Sequence, residues 1–92
     1  MANIQKIRQK IIDRAYYLSS HAEEEMAVDG FERADVENAI CKGRIEKKLT
    51  HDERGTRYRI ERPAEDDRMM QVLCRFNADS NLVIITVYAL ME

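Results

Sequence analysis

Two imidazoles can move a proton near neutral pH, His21 and His51. An imidazole titrates around pH ~6.5 and serves as general base or general acid. His51 precedes Asp52 at the end of an expected strand and reads as a turn residue. His21 stands where a short β-prone run meets a helix start, and is the candidate for proton transfer; its plain alternative is a side chain that satisfies helix-end backbone groups. Further on, Arg57, Arg59 and Arg75 alternate with apolar residues, and Thr86 and Tyr88 close the last apolar run. Guanidinium groups beside a phenol on one sheet face can hold a phosphodiester. The plain alternative is the solvated face of an antiparallel sheet. No Cys-x-x-Cys or His-x-x-x-His spacing occurs, so no metal is expected. Cys41 and Cys74 read as reduced, small, buried apolar residues. No Gly-rich phosphate loop is present, and Gly30, Gly43 and Gly55 read as helix stops and a turn, so no organic cofactor is expected either.

The elements that must position these groups follow from apolar spacing. Ile4, Ile7, Ile11 and Ile12 make one stripe on a helix over about residues 2–14, with Asn3 as a cap. Tyr16, Tyr17 and Leu18 form the β-prone run, and Ser19 or Ser20 caps a second helix with Glu23, Glu24 and Glu25 at its start. Asp29-Gly30 stops it. A third helix over 34–41 turns Val36, Ala39 and Ile40 inward and ends at Gly43. The period then changes from about 3.6 to 2. Strands are expected over 44–50, 57–61, 69–76 and 82–89, with polar connections at 52–55, 63–67 and 77–81. Met70, Val72, Cys74 and Phe76 share one face with Tyr58 and Ile60, and the helices should cover it. The other face carries Arg57, Arg59, Gln71, Leu73 and Arg75. Either face of the last strand can hold Thr86 and Tyr88, because both are apolar elsewhere. The expected fold is α+β, with amino-terminal helices packed on one face of a four-stranded antiparallel sheet.

With 92 residues, 45% of them hydrophobic and a net charge of −2, the chain is expected to form a single domain over 1–92. No apolar run reaches the ~18 residues of a membrane span, and no signal-peptide core is present, so the expected location is the cytoplasm. The charge is segregated. Residues 1–14 carry Lys6, Arg8, Lys10 and Arg14 against Asp13, and residues 15–40 carry Arg33 against seven acids. Residues 41–62 carry eight basic against four acidic side chains, and residues 63–92 two against five. Either one cationic surface results, able to attract phosphate, or the stretches pair with each other.

Several of these pieces fall in a recognisable order. Ser19-x-His21-Ala22-x-x-x-Met26, Asp35-Val36-x-x-Ala39-Ile40 ending at Gly43, Arg57-Tyr58, and Val83-Ile84-Ile85-Thr86-Val87-Tyr88 resemble the domain of unknown function 4258 (DUF4258) family over about residues 17–88, with the first helix as an extra element. That family is similar to RelE-like and barnase-like ribonuclease folds, and its members look like toxins paired with a zinc-ribbon antitoxin. The resemblance implies a metal-independent endoribonuclease acting on RNA, in particular mRNA. His21 would then act as base or acid, and Arg57 and Arg75 would stabilise the phosphorane-like transition state. Tyr88 would stack on a base or donate a proton, while Arg59, Lys47 and Thr86 contact the RNA. The sequence departs from the family at Glu25, where members typically carry Arg, which either removes catalysis from this chain or moves the phosphate contact to the sheet arginines. Implied partners are RNA and a cognate antitoxin. The alternative is a noncatalytic module that binds a basic partner through the acidic helical segment, or a homodimer built on the isoleucine stripe.

Overall fold

The computed structural model describes residues 4–50, 56–63 and 69–90. In the first helix, α1 (Ile4–Ile12), Ile7 and Ile11 are buried and Ile4 packs at their side. Ile12, expected inward, is 67% exposed. The first strand, β1 (Tyr16–Leu18), leads into α2 (Ser20–Asp29), which starts because Ser19 holds an extended backbone and its hydroxyl accepts the Ala22 N–H at 3.0 Å. Gly30 ends it in the left-handed region at φ 73°, where a side chain would be strained. Helix α3 (Arg33–Lys42) opens with the Asp35 carboxylate accepting the Glu32 N–H at 2.8 Å. Its carboxyl end is closed from α1: Arg8 donates to the carbonyls of Ile40 at 3.2 Å and Gly43 at 2.8 Å, a cation at the negative end of the helix dipole. The first helix is therefore part of the core.

Four strands follow, β2 (Arg44–Leu49), β3 (Arg57–Pro63), β4 (Met69–Phe76) and β5 (Leu82–Leu90). They form the expected antiparallel meander. The sheet itself differs from the expectation of four antiparallel strands. It has five, ordered β1-β5-β4-β3-β2, because β1 joins parallel to β5, with Tyr16 opposite Leu82 and Leu18 opposite Ile84. Three residues are too few to show alternation, and a pairing with the last strand leaves no local signal. Beyond β1 the same edge is occupied by α2. The Ser19 hydroxyl donates to the Ile85 carbonyl at 2.8 Å, and Asp29 accepts the Ala89 N–H at 3.3 Å, so groups at both ends of α2 bond the β5 backbone and the edge is not left open. The expected Asn3 cap, His51 and the expected turn at 52–55 lie outside the described residues, as does 64–67 of the second connection.

Tyr58, Ile60, Met70, Val72, Cys74, Leu82, Ile84 and Val87 are buried on the helical side, as alternation requires. The parity of β5 switches midway. Leu73 pairs with Thr86 while Cys74 pairs with Ile84, so Ile85 is an extra residue in a β-bulge. Leu82 and Ile84 before it, and Val87 and Ala89 after it, all point toward the core side. Thr86 and Tyr88 are thereby assigned to the opposite face, together with Val83. Among the described residues no helix is long and apolar enough to cross a membrane. Ser19 carries both the start of α2 and its tie to the bulge. Ser19→Ala is expected to lower unfolding free energy by about 1–2 kcal/mol, read as an earlier urea midpoint at unchanged slope.

Candidate functional site

The register gathers the sheet residues of interest into rows running across the strands, on the face away from α1 and α3. One row is Tyr17, Val83, Arg75, Arg57 and Leu49. The next is Thr86, Leu73, Arg59 and Lys47, and the third is Tyr88, Gln71, Glu61 and Arg44. Cross-strand partners share a face, so Arg57, Arg59, Arg75, Tyr88, Thr86 and Lys47 all stand on one surface. Lys47 is exposed, and the others are half-buried by their neighbours. Arg57 and Arg75 face each other in a row that contains no acid.

Acids enter at two points. A second bulge, between Ile45 and Lys47, frees Glu46, whose carboxylate accepts from the Arg59 Nε at 2.6 Å. This bond holds the Glu46 carboxyl below the usual carboxylate range and raises Arg59 above the usual guanidinium value. The Tyr88 phenol bonds the same guanidinium and raises it further. In the third row the Gln71 amide, buried, donates to Glu61 at 3.5 Å. Arg59 is thus held by Glu46 and Tyr88. Arg57, Arg75 and Lys47 are the cations nearest to it on the same face.

His21 is not on the sheet. It occupies the first turn of α2 with its side chain 59% exposed, and its Nε2 lies 3.4 Å from the Glu25 carboxylate. The Ser19 bond to Ile85 nevertheless sets this turn beside the bulge, one residue from Thr86. Of the two thiols, Cys74 is buried, which pushes its pKa up to about 12, and Cys41 is half-buried on α3. Both are free. No group of three or more His, Cys, Asp or Glu is arranged to hold a metal ion among the described residues.

The model of the family described as Domain of unknown function (DUF4258) matches residues 18–89. The chain belongs to that family. The DUF4258 match includes α2, α3 and strands β2 to β4 whole, and it contains His21, Arg57, Arg75, Thr86 and Tyr88. Helix α1 and Tyr17 precede it, although α1 supplies two core isoleucines and the Arg8 cap to this DUF4258 domain. No curated protein and no solved structure matches the chain. Sequence reasoning placed Gln71 on this surface and missed two other members of it. Tyr17 needed the β1 pairing and Glu46 needed the bulge; neither has a local signature.

Proposed function

We propose that this DUF4258 domain is a toxin-type, metal-independent endoribonuclease acting on RNA. The observation that carries the reading is the shared face: Arg57, Arg75, Lys47, Thr86 and Tyr88 come from four strands onto one surface, opposite the face that α1 and α3 cover. The sequence resemblance to a family that looks like RelE-like and barnase-like ribonucleases points the same way, and it extends the proposal to a cognate antitoxin, a zinc-ribbon protein. The reaction needs no metal. A base removes the proton of a ribose 2′-hydroxyl, the resulting oxygen forms a bond to the adjacent phosphorus, and the P–O5′ bond breaks as the leaving oxygen takes a proton. The products are a 2′,3′-cyclic phosphate and a 5′-hydroxyl. His21, oriented by Glu25, serves as base or acid from the edge of the sheet. Arg57 and Arg75 offset the charge that builds on the phosphoryl oxygens, and Tyr88, polarised by Arg59, donates a proton or stacks on a base.

A second reading rests on the His21–Glu25 pair and the acidic segment around it, where Glu23, Glu24, Glu25, Asp29, Glu32, Asp35 and Glu37 follow one another. It makes the domain a noncatalytic module that docks a basic partner protein. Inducible expression in a bacterial host separates the two. The ribonuclease reading expects growth arrest with loss of total RNA integrity, relieved by His21→Ala and by Arg57→Ala. Unimpaired growth from well-expressed, folded wild type transfers the reading to the binding module.

A further inference from the structure

Tyr17 is 57% exposed, although its neighbour Tyr16 is buried with its hydroxyl donating to Glu37 at 2.5 Å. Alternation along β1 explains the difference: Tyr16 points to the helices and Tyr17 to the open face. The parallel pairing then sets Tyr17 opposite Val83, which is opposite Arg75, which is opposite Arg57. An exposed ring therefore ends a row whose next polar members are two guanidiniums. Strands lie about 4.8 Å apart, so Tyr17 and Arg75 are separated by roughly 10 Å. That distance is bridged by one nucleotide and its phosphate, and the half-buried Val83 between them has no polar atom on its side chain to compete. The row's own members are an exposed ring, two guanidiniums and two apolar side chains, and a phenol face set beside guanidiniums suits a strand that presents a flat base and a phosphate together.

We propose that Tyr17 is a stacking platform for one unpaired nucleobase of a strand whose phosphates lie on Arg75 and Arg57. The inference rests on the RNA reading given above and adds a subsite to it. A ring face is worth a large part of single-strand affinity, about 1–3 kcal/mol per stacked base by alanine substitution, and it discriminates little between bases. It cannot engage a base that is already stacked inside a duplex. The subsite therefore selects single-stranded RNA, and it acts on affinity without adding a charge.

The test is equilibrium binding of a short unstructured oligoribonucleotide, and of the same strand annealed to its complement, to wild type, Tyr17→Phe, Tyr17→Leu and Arg57→Ala. A catalytically blocked strand with 2′-O-methyl groups keeps the probe intact. Leucine retains an apolar strand side chain and lacks the ring, so a loss specific to Tyr17→Leu reports stacking and not folding. The expected result is wild-type affinity for Tyr17→Phe and a loss of about fivefold to a hundredfold for Tyr17→Leu on the single strand, with an unchanged salt slope and unchanged duplex binding. Equal affinities for Tyr17→Leu and wild type, beside a weakened Arg57→Ala, overturn the platform and leave the RNA surface standing. Absence of RNA binding by folded wild type overturns both, and co-elution of Tyr17-dependent complexes with a protein partner in its place assigns the ring to a protein interface.

Discussion

Arg57→Ala and Arg75→Ala are each expected to weaken single-stranded RNA binding by about tenfold to a hundredfold, the cost of one charge-assisted contact to a phosphate. Each is also expected to lower the slope of log affinity against log salt by about 0.7, because one fewer counterion site on a single strand is neutralised. The two arginines face each other across β3 and β4, in a row with Tyr17, Val83 and Leu49 and no acid. Like charges directly opposite in a sheet repel by a few tenths of a kcal/mol to about 1 kcal/mol, so a single alanine there relieves that repulsion while it loses the contacts of a half-buried side chain. Urea unfolding should accordingly show stability within about 1 kcal/mol of wild type, and the loss of binding cannot be charged to unfolding. Arg59→Ala is the contrast. Its guanidinium is held by Glu46 and Tyr88, so its removal should cost less RNA affinity than removal of Arg57 while freeing the Glu46 carboxylate onto the same surface. Equal effects from all three substitutions, with no change in salt slope, would remove the arginine row from RNA binding.

Much of this surface is legible in the sequence, because period-2 alternation over Met69–Phe76 and Arg57–Glu61 separates Met70, Val72, Cys74, Tyr58 and Ile60 from Arg57, Arg59 and Arg75 without reference to any other strand. The helix limits at Ser19 and Gly30 are equally local, since each depends on one residue's chemistry. The remainder is set by partners far along the chain. Residue counting alone leaves the faces of β5 undecided, because the bulge at Ile85 reverses its parity and is defined only by the pairing with β4. The fifth strand, and with it the placement of Tyr17, depends on a three-residue parallel pairing between the two ends of the fold. Arg8 belongs by sequence to a basic amphipathic helix, yet it serves as the cap of α3 through two carbonyls. In each case the missing information is tertiary.

Gly43→Ala is expected to be among the most damaging single-methyl additions to this domain, and the reason is space, not backbone conformation. Gly43 has φ −85° and ψ −169°, extended values that any residue adopts. A Cβ built there collides with the Ala39 carbonyl oxygen and lies 2.8 Å from the Glu61 carbonyl oxygen, with the Ile60 Cγ2 at 3.1 Å. Both close oxygens belong to backbone, so no side-chain rotation relieves them. The Ala39 oxygen is also the acceptor of the Gly43 N–H at 2.7 Å, and the Gly43 oxygen is the acceptor of Arg8. Making room means separating the end of α3 from β3, which loosens the helix cap and the strand that carries Arg57 and Arg59. Overpacking of this kind costs about 3 kcal/mol or more, a large share of the roughly 5–15 kcal/mol that holds a small domain. Thermal unfolding should fall by roughly 12 °C or more, at about 4–8 °C per kcal/mol for a chain of this size. Gly30→Ala supplies the comparison. Gly30 has φ 73°, which strains any side chain, but nothing lies within 4 Å of the added Cβ, so the cost stays near the 1–2 kcal/mol of a left-handed residue. Dihedral angles alone predict the opposite order, with Gly30 the sensitive position. A milder effect at Gly43 than at Gly30 would therefore rule out the close approach of α3 to β3 that keeps the arginine strand in register with the helical core.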